Sequence, residues 1–315
     1  MLFKLLSDLA RKAFGWMPER PPAPIDRPSA GDEAPSLPMP ISRKYVWQRL
    51  RDPGEVDYYA KTGPRKEVVE LLAFDPRFAL DVGCAAGAMA RHVKDTFPKC
   101  KVWGVEPNAK AAEVARTRID KVIVGSLESI DWAAHGVSAG EVDTVFLLDV
   151  MEHMYDPWHA LATLRNFVDP RAQVVISLPN VRNIMNVRDL MNGYWRYRDV
   201  GLMDSTHIRF FTEYEALRLI YQTGFRVEHR TFTLSGDTEP LYAQMEKLPF
   251  PQTVTFENGT LAIRTMEELE SFAALQFIFL VRPARREELD AKELALAEQA
   301  HPQTFAMGGE YPGVI

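Results

Sequence analysis

Three groups of residues in this chain have types and spacings that could do chemistry, and each falls where an apolar run ends. The first is the turn Asp81-Val82-Gly83-Cys84-Ala85-Ala86-Gly87, which closes the run Phe78-Ala79-Leu80 and leads into a helix-forming stretch. Gly83 and Gly87 carry no side chain, so the backbone there can come very close to a ligand. The second is Glu106, which ends the run Lys101–Val105. It lies roughly 20 residues past the glycines, where an acid accepts hydrogen bonds from two ribose hydroxyls. The third is Asp149-Val150-Met151-Glu152-His153, together with His207 in the string Asp204–Thr212. A hydroxyl is a poor nucleophile until a base takes its proton, and histidine suits that task near neutral pH. His153 and His207 are therefore the candidate bases.

The elements that must position these groups alternate strand and helix from residue 78 onward, which predicts parallel strands joined by crossover helices. Strands are expected near 78–82, 101–106, 121–124, 142–148, 173–178, 225–233 and 274–282. Gly224 caps a helix over 212–223. Thr212 starts that helix, with Glu215 as its capping-box partner. The domain runs over 41–282, with insertions at about 181–206 and 234–272. Residues 41–74 read as helical and offer Tyr45, Trp47, Tyr58 and Tyr59 to cover a ligand. Residues 283–300 read as a charged helix, followed by a disordered tail. Residues 1–17 form an amphipathic helix, with Leu2, Leu5, Leu6, Leu9, Ala13 and Trp16 on one face and Lys4, Asp8, Arg11 and Lys12 opposite. A proline-rich linker, 18–40, follows. The helix could pack on its own domain, dock a partner protein or attach peripherally to a membrane. The long tether favours the membrane.

Composition bounds the partners. A net charge of −6 over 315 residues argues against a nucleic-acid backbone as the main partner. The only cysteines, Cys84 and Cys100, suggest neither a disulfide framework nor a zinc site. No apolar run reaches the roughly 20 residues of a membrane-spanning helix. A cytoplasmic location is expected, with peripheral membrane contact through residues 1–17.

Asp81-x-Gly83-Cys84-x-x-Gly87 with Glu106 and the Asp149–His153 segment resembles class I S-adenosylmethionine-dependent methyltransferases. The resemblance implies an α/β, Rossmann-like sheet of seven mostly parallel strands flanked by helices, with the last strand pair antiparallel. It implies S-adenosyl-L-methionine as cofactor, held by Asp81, Gly83, Cys84, Ala85, Gly87, Glu106, Pro107, Ser126, Leu127 and Asp149. Ser126 stands where the family often has Asp, which leaves the adenine contact there open. Ala85 replaces the middle glycine of the stricter turn, at little cost if its φ is negative. The fourth strand lacks the Asn/Asp-Pro-Pro-aromatic motif of enzymes that methylate amide-type nitrogen, so oxygen is the expected target. Thr206-His207-x-Arg209-Phe210-Phe211-Thr212 resembles a branch found with bacterial polysaccharide assembly and, more loosely, ubiquinone-biosynthesis O-methyltransferases. The expected acceptor is a small molecule or glycan: a sugar hydroxyl on a glycan, lipid-linked or nucleotide-sugar intermediate, with Tyr194, Trp195, Arg196 and Arg209 on its wall. A small phenolic or quinol-like acceptor and a non-catalytic scaffold are the alternatives. Asp149, Glu152, His153 and His207 also resemble the divalent-metal set of small-RNA 2′-O-methyltransferases. The expected use of Glu152 and His153 is nevertheless a helix start with a buried, hydrogen-bonded pair and no metal.

Overall fold

The computed structural model describes residues 63–298. The expected helix over 1–17, the linker over 18–40, the aromatic residues at 45–59 and the tail after 302 lie outside them. Seven strands form one sheet: β1 (Phe78–Val82), β2 (Lys101–Glu106), β3 (Lys121–Val124), β4 (Thr144–Leu148), β5 (Gln173–Pro179), β6 (Phe225–Thr233) and β9 (Gln276–Pro283). Their order is β3-β2-β1-β4-β5-β9-β6. Strands β1 to β5 run parallel, and β9 is antiparallel to both β5 and β6. The expected class is the observed one.

The central strands read as continuous apolar runs because both faces of the sheet are covered, while the edge strand β6 carries Arg226, Glu228, His229 and Arg230 and is only partly buried. Every residue of β1 and β5 is buried. Alternate residues serve different layers: Leu80, Val82, Val174 and Ile176 join one core, while Ala79 and Val175 join the other. Helices α1 (Ala88–Thr96), α2 (Ala109–Arg116), α3 (Pro157–Phe167), α4 (Ile184–Met191) and α5 (Glu213–Gln222) cross between strands or lead into them. Asn108, Asp156, Asn183 and Thr212 each accept backbone N–H bonds at the starts of α2, α3, α4 and α5.

Several boundaries differ from expectation. β4 begins at Thr144; the Asp143 backbone still bonds to Phe78 and Gln173, and its carboxylate also takes the backbone N–H groups of Arg77 and Phe78. β9 covers 276–283. The segment expected as one helix from 283 breaks into a 3₁₀ turn, Arg286–Glu288, and α8 (Ala291–Glu298). The insertion after β6 is a unit of its own, with α6 (Glu239–Met245), the hairpin β7 (Gln252–Phe256)–β8 (Gly259–Ile263) and α7 (Met266–Ala273). Its core of Met245, Ile263, Leu269 and Phe272 packs with Ile184 of α4.

Strand order reverses direction between β1 and β4, so a crevice opens at their carboxyl ends. Gly104 of β2 sits opposite Asp81 there. A Cβ on Gly104 would collide with the Cys84 sulfur and lie 3.1 Å from Ile119 Cδ1. Gly104→Ala should cost about 1–3 kcal/mol in denaturant unfolding. Cys84→Ala, which removes the sulfur, should recover part of that loss in the double variant. Simple additivity of the two changes would mean the clash is not what holds glycine at this position.

Candidate functional site

The turn after β1 hangs on the end of β2. Backbone N–H groups of Gly83 and Cys84 donate to the Val105 carbonyl at 2.8 and 3.1 Å, and Ala85 N–H donates to the Glu106 carboxylate at 2.8 Å. Gly83 and Gly87 take φ of 71° and 79°. A Cβ at Gly83 would meet Val150 at 2.6 Å, and one at Gly87 would meet Ala115 of α2 at 3.0 Å. These glycines thus serve close packing of the chain on itself as well as access for a ligand. Ala85 has φ of +48°, not the negative value on which its low cost was expected. That conformation costs an alanine roughly 1–2 kcal/mol, which its bond to Glu106 opposes.

A cavity of about 110 Å³ opens above this turn, and its lining includes Arg65, Asp81, Gly83, Cys84, Met89 and Asp149. Asp81 is buried and accepts from Ala90 N–H at the start of α1, at 3.1 Å. Burial, with the nearby Glu106 charge, pushes its pKa up to about 7. Glu106 is also buried, and burial raises its pKa against two backbone N–H bonds, from Asn108 and Ala85. Each of its oxygens keeps a second lone pair for a ligand. Gly87, Glu106, Pro107, Ser126 and Leu127 stand outside this cavity's lining. Pro107 is exposed, Leu127 is buried in the core, and Ser126 lies 3.1 Å from Ser129, hydroxyl to hydroxyl.

Asp149 also takes the left-handed region, with φ of 57°. Its carboxylate accepts from Ser177 (2.6 Å), Gln276 (2.7 Å) and Arg65 (3.1 Å). Arg65 was not anticipated: it lies in the segment 41–74 read as helical, in which the aromatic residues were singled out, and it immediately precedes a 3₁₀ turn, Lys66–Val68. Its Nη2 is buried and meets no acceptor among the described residues.

One turn beyond Asp149, the 3₁₀ turn Met151–His153 carries the histidine cluster. The carbonyl of Glu152 accepts both Ile208 N–H (2.9 Å) and Arg209 N–H (3.0 Å), which ties the distant 202–211 segment to the end of β4. His153 and His207 consequently stand edge to face, 4.8 Å between ring centroids. His207 Nδ1 faces the Leu202 carbonyl at 3.2 Å, and its Nε2 lies 3.9 Å from Glu152 Oε1. Burial, then the neighbouring His153, lowers the His207 pKa, so the ring is a neutral proton acceptor at neutral pH. The Glu152 side chain is fully buried, and neither carboxylate oxygen has a hydrogen-bond partner among the described residues. The expected hydrogen-bonded Glu152–His153 pair is therefore not formed. Burial, reinforced by Asp149, raises the Glu152 pKa well above the carboxylate range. No metal was expected; of the four residues that resemble a divalent-metal set, Asp149 is committed elsewhere and Glu152, His153 and His207 come together.

The four wall residues stand outside the lining of the cofactor cavity; Tyr194, Trp195 and Arg196 form an exposed rim, and Arg209 is half-buried. Tyr194 and Trp195 are about half exposed, Trp195 packs edge-on against Phe210, and the Arg196 guanidinium sits 3.7 Å from the Tyr194 ring. Arg209 donates to the Tyr155 carbonyl. Arg182 and Asn183, which precede this rim, turn inward and bind Ser271, Ala273 and Ala274 of the insertion. A larger hollow of about 310 Å³ lies at the opposite edge of the sheet, among Phe74, Arg77, Asp143, Asp169 and Arg171, away from these groups.

The family description "Methyltransferase domain" matches residues 56–230. The chain belongs to this methyltransferase family. A ubiquinone biosynthesis O-methyltransferase of Aromatoleum aromaticum is 30% identical over 105 residues, 32% of this chain and 43% of that protein. An uncharacterized protein in transposon TN4556 of Streptomyces fradiae is 29% identical over 116 residues, 36% of this chain and 34% of that one. The methyltransferase thus spans less than half the length of either curated relative. A methyltransferase structure from Archaeoglobus fulgidus aligns with a TM-score of 0.47 at 16% identity, over 76% of this chain and 99% of that one. The methyltransferase's cofactor is S-adenosylmethionine, and the crevice fits it. The cofactor carries a carboxylate, for which the unpartnered Arg65 Nη2 is the matching donor, and cationic groups, which suit a cavity lined by the buried Asp81 and by Asp149. Arg65→Ala should therefore weaken cofactor binding by ~1.5–3 kcal/mol in titration calorimetry. Unchanged affinity would show that Arg65 serves only Asp149 and Glu67.

Proposed function

We propose that this methyltransferase acts on a hydroxyl oxygen, and that the acceptor is a sugar hydroxyl on a glycan, lipid-linked or nucleotide-sugar intermediate. The observation that carries the reading is the Glu152–His153–His207 cluster, one turn past Asp149 of the cofactor cavity. Bound S-adenosylmethionine supplies an electrophilic methyl group, and the displacement at that methyl is in line. Most of the catalysis is then positioning by this chain's residues. Arg65, Asp81 and the 83–87 turn hold the cofactor, while the 202–211 segment presents the acceptor. The cluster is where the acceptor's proton leaves. His207 serves this because burial keeps its ring neutral.

The sugar is supported by the rim, where Tyr194, Trp195 and Tyr197 alternate with Arg196 and Arg198. Aromatic faces suit sugar rings, and guanidinium groups suit the phosphates that carry them. A phenolic or quinol acceptor is the second reading, favoured by the partial likeness to a ubiquinone biosynthesis O-methyltransferase.

A tritiated-methyl screen over sugar and phenol pools identifies the acceptor class. With that acceptor, His207→Ala should lower turnover by ~10²–10⁴-fold and leave cofactor affinity nearly unchanged. Full turnover in the variant would make His207 a packing residue and remove the cluster from the reaction.

A further inference from the structure

Strand β9 enters the sheet antiparallel to its neighbours β5 and β6, so its first residue, not its last, arrives at the carboxyl edge. That residue is Gln276, opposite Pro179 of β5 and Thr233 of β6. Its side chain reaches across the end of β5 to the segment after β4, where Nε2 donates to Asp149 Oδ1 at 2.7 Å. The Ser177 hydroxyl of β5 donates to the same oxygen at 2.6 Å. Two neutral donors thus take both lone pairs of Oδ1 and leave the charge of the carboxylate uncancelled. Oδ2 is left for Arg65, whose Nη1 lies 3.1 Å from it and 3.3 Å from the Ser177 oxygen. Arg65 Nε donates to Glu67 at 2.6 Å. Nη2 is the guanidinium nitrogen that stays unpaired among the described residues, and Arg65 and Asp149 both line the cofactor cavity. Neither Ser177 nor Gln276 lines it.

The Gln276 side chain is not needed to hold its own strand, because backbone groups do that. Asn180 N–H donates to the Leu275 carbonyl at 2.9 Å, and Leu275 N–H donates to the Thr233 carbonyl at 2.7 Å. The amides of Asn180 and Asn183 both donate to the Ala274 carbonyl at 2.9 Å. What the Gln276 amide does fix is Asp149, whose side chain is 37% exposed and stands on a backbone in the left-handed region. With one anchor fewer, that carboxylate can turn toward water, and Arg65 loses the acceptor that orients it. A guanidinium binds a carboxylate well only when its planar fork is held in register with it. We propose that Gln276 is a positioning residue for the cofactor: through Asp149 it holds Arg65 so that Nη2 meets the carboxylate of S-adenosylmethionine. The inference rests on the cofactor contact of Arg65 and not on the identity of the acceptor.

The test is calorimetry on the full-length chain with two probes. S-adenosylhomocysteine has the carboxylate, and methylthioadenosine lacks the whole amino-acid end. Gln276→Met, similar in length but without a donor, should weaken S-adenosylhomocysteine binding by about tenfold, the scale of one bond to a charged group, and change methylthioadenosine binding by less than about twofold. In an Arg65→Ala background the same change should have little further effect on either probe. Gln276→Ala gives the same readings if Gln276→Met does not fold. Equal losses for both probes would make Gln276 a packing residue and overturn the proposal. Fully additive losses in the double variant would overturn it too, by separating Gln276 from Arg65. Full affinity for S-adenosylhomocysteine in Gln276→Met, with loss in Arg65→Ala, would overturn it and leave the Arg65 contact standing. Wild-type affinity in Arg65→Ala would overturn both. No acceptor enters these titrations, so the O-methylation reading stands or falls separately.

Discussion

Buried negative charge at the carboxyl edge of the sheet is the constraint on which the site depends. Asp81 and Glu106 are buried near the ends of neighbouring strands, the half-exposed Asp149 follows the next strand, and the buried Glu152 lies one turn further. Carboxylates taken out of water must be protonated, hydrogen-bonded or matched by positive charge. The chain meets part of that demand itself, through α1 at Asp81, two backbone N–H groups at Glu106, and Arg65, Ser177 and Gln276 at Asp149. What remains falls at two places: the cavity beside Asp81 and the carboxylate of Glu152. A cationic cofactor answers the first, and the histidine cluster surrounds the second.

The distance in sequence between the two halves of the cluster is bridged by backbone rather than by side chains. Glu152 offers its carbonyl to the N–H groups of Ile208 and Arg209, while Val181 N–H donates to the Phe211 carbonyl and extends the same segment alongside the end of β5. The insertion after β6 supports this from behind, because Asn180 and Asn183 donate to carbonyls at the end of α7.

Strand positions were legible because the central strands of a doubly covered sheet are apolar runs, and because acids and glycines punctuate their ends. The pairing of His153 with His207 was legible as a pair of candidates, although nothing local in sequence brings them together. Backbone conformation was not legible: Ala85 adopts positive φ against its residue type and Asp149 adopts it as well, the two held by bonds to Glu106 and from Ser177, Gln276 and Arg65. Gly104 reads as a weak strand residue until Cys84 is seen packed against it. Arg65 carries no motif. The β7–β8 hairpin did have a signal, in the alternation of Gln252-Thr253-Val254-Thr255-Phe256 before Asn258-Gly259, but it lay inside a segment read only as an insertion.

The central claim is that a cationic cofactor completes an acid-walled cavity. With folded Asp81 near pKa 7, against 3.8 for the free side chain, the carboxyl is partly protonated at neutral pH in the unliganded chain. A positive charge brought beside it favours the ionised form and expels the remaining proton. The most direct measurement is calorimetry of S-adenosylmethionine binding in buffers of different ionisation enthalpy, at pH 7 and at pH 8.5. The account predicts net proton release at pH 7 that shrinks at pH 8.5, where Asp81 is already ionised. Binding with no proton exchange at pH 7, or with proton uptake, would contradict it.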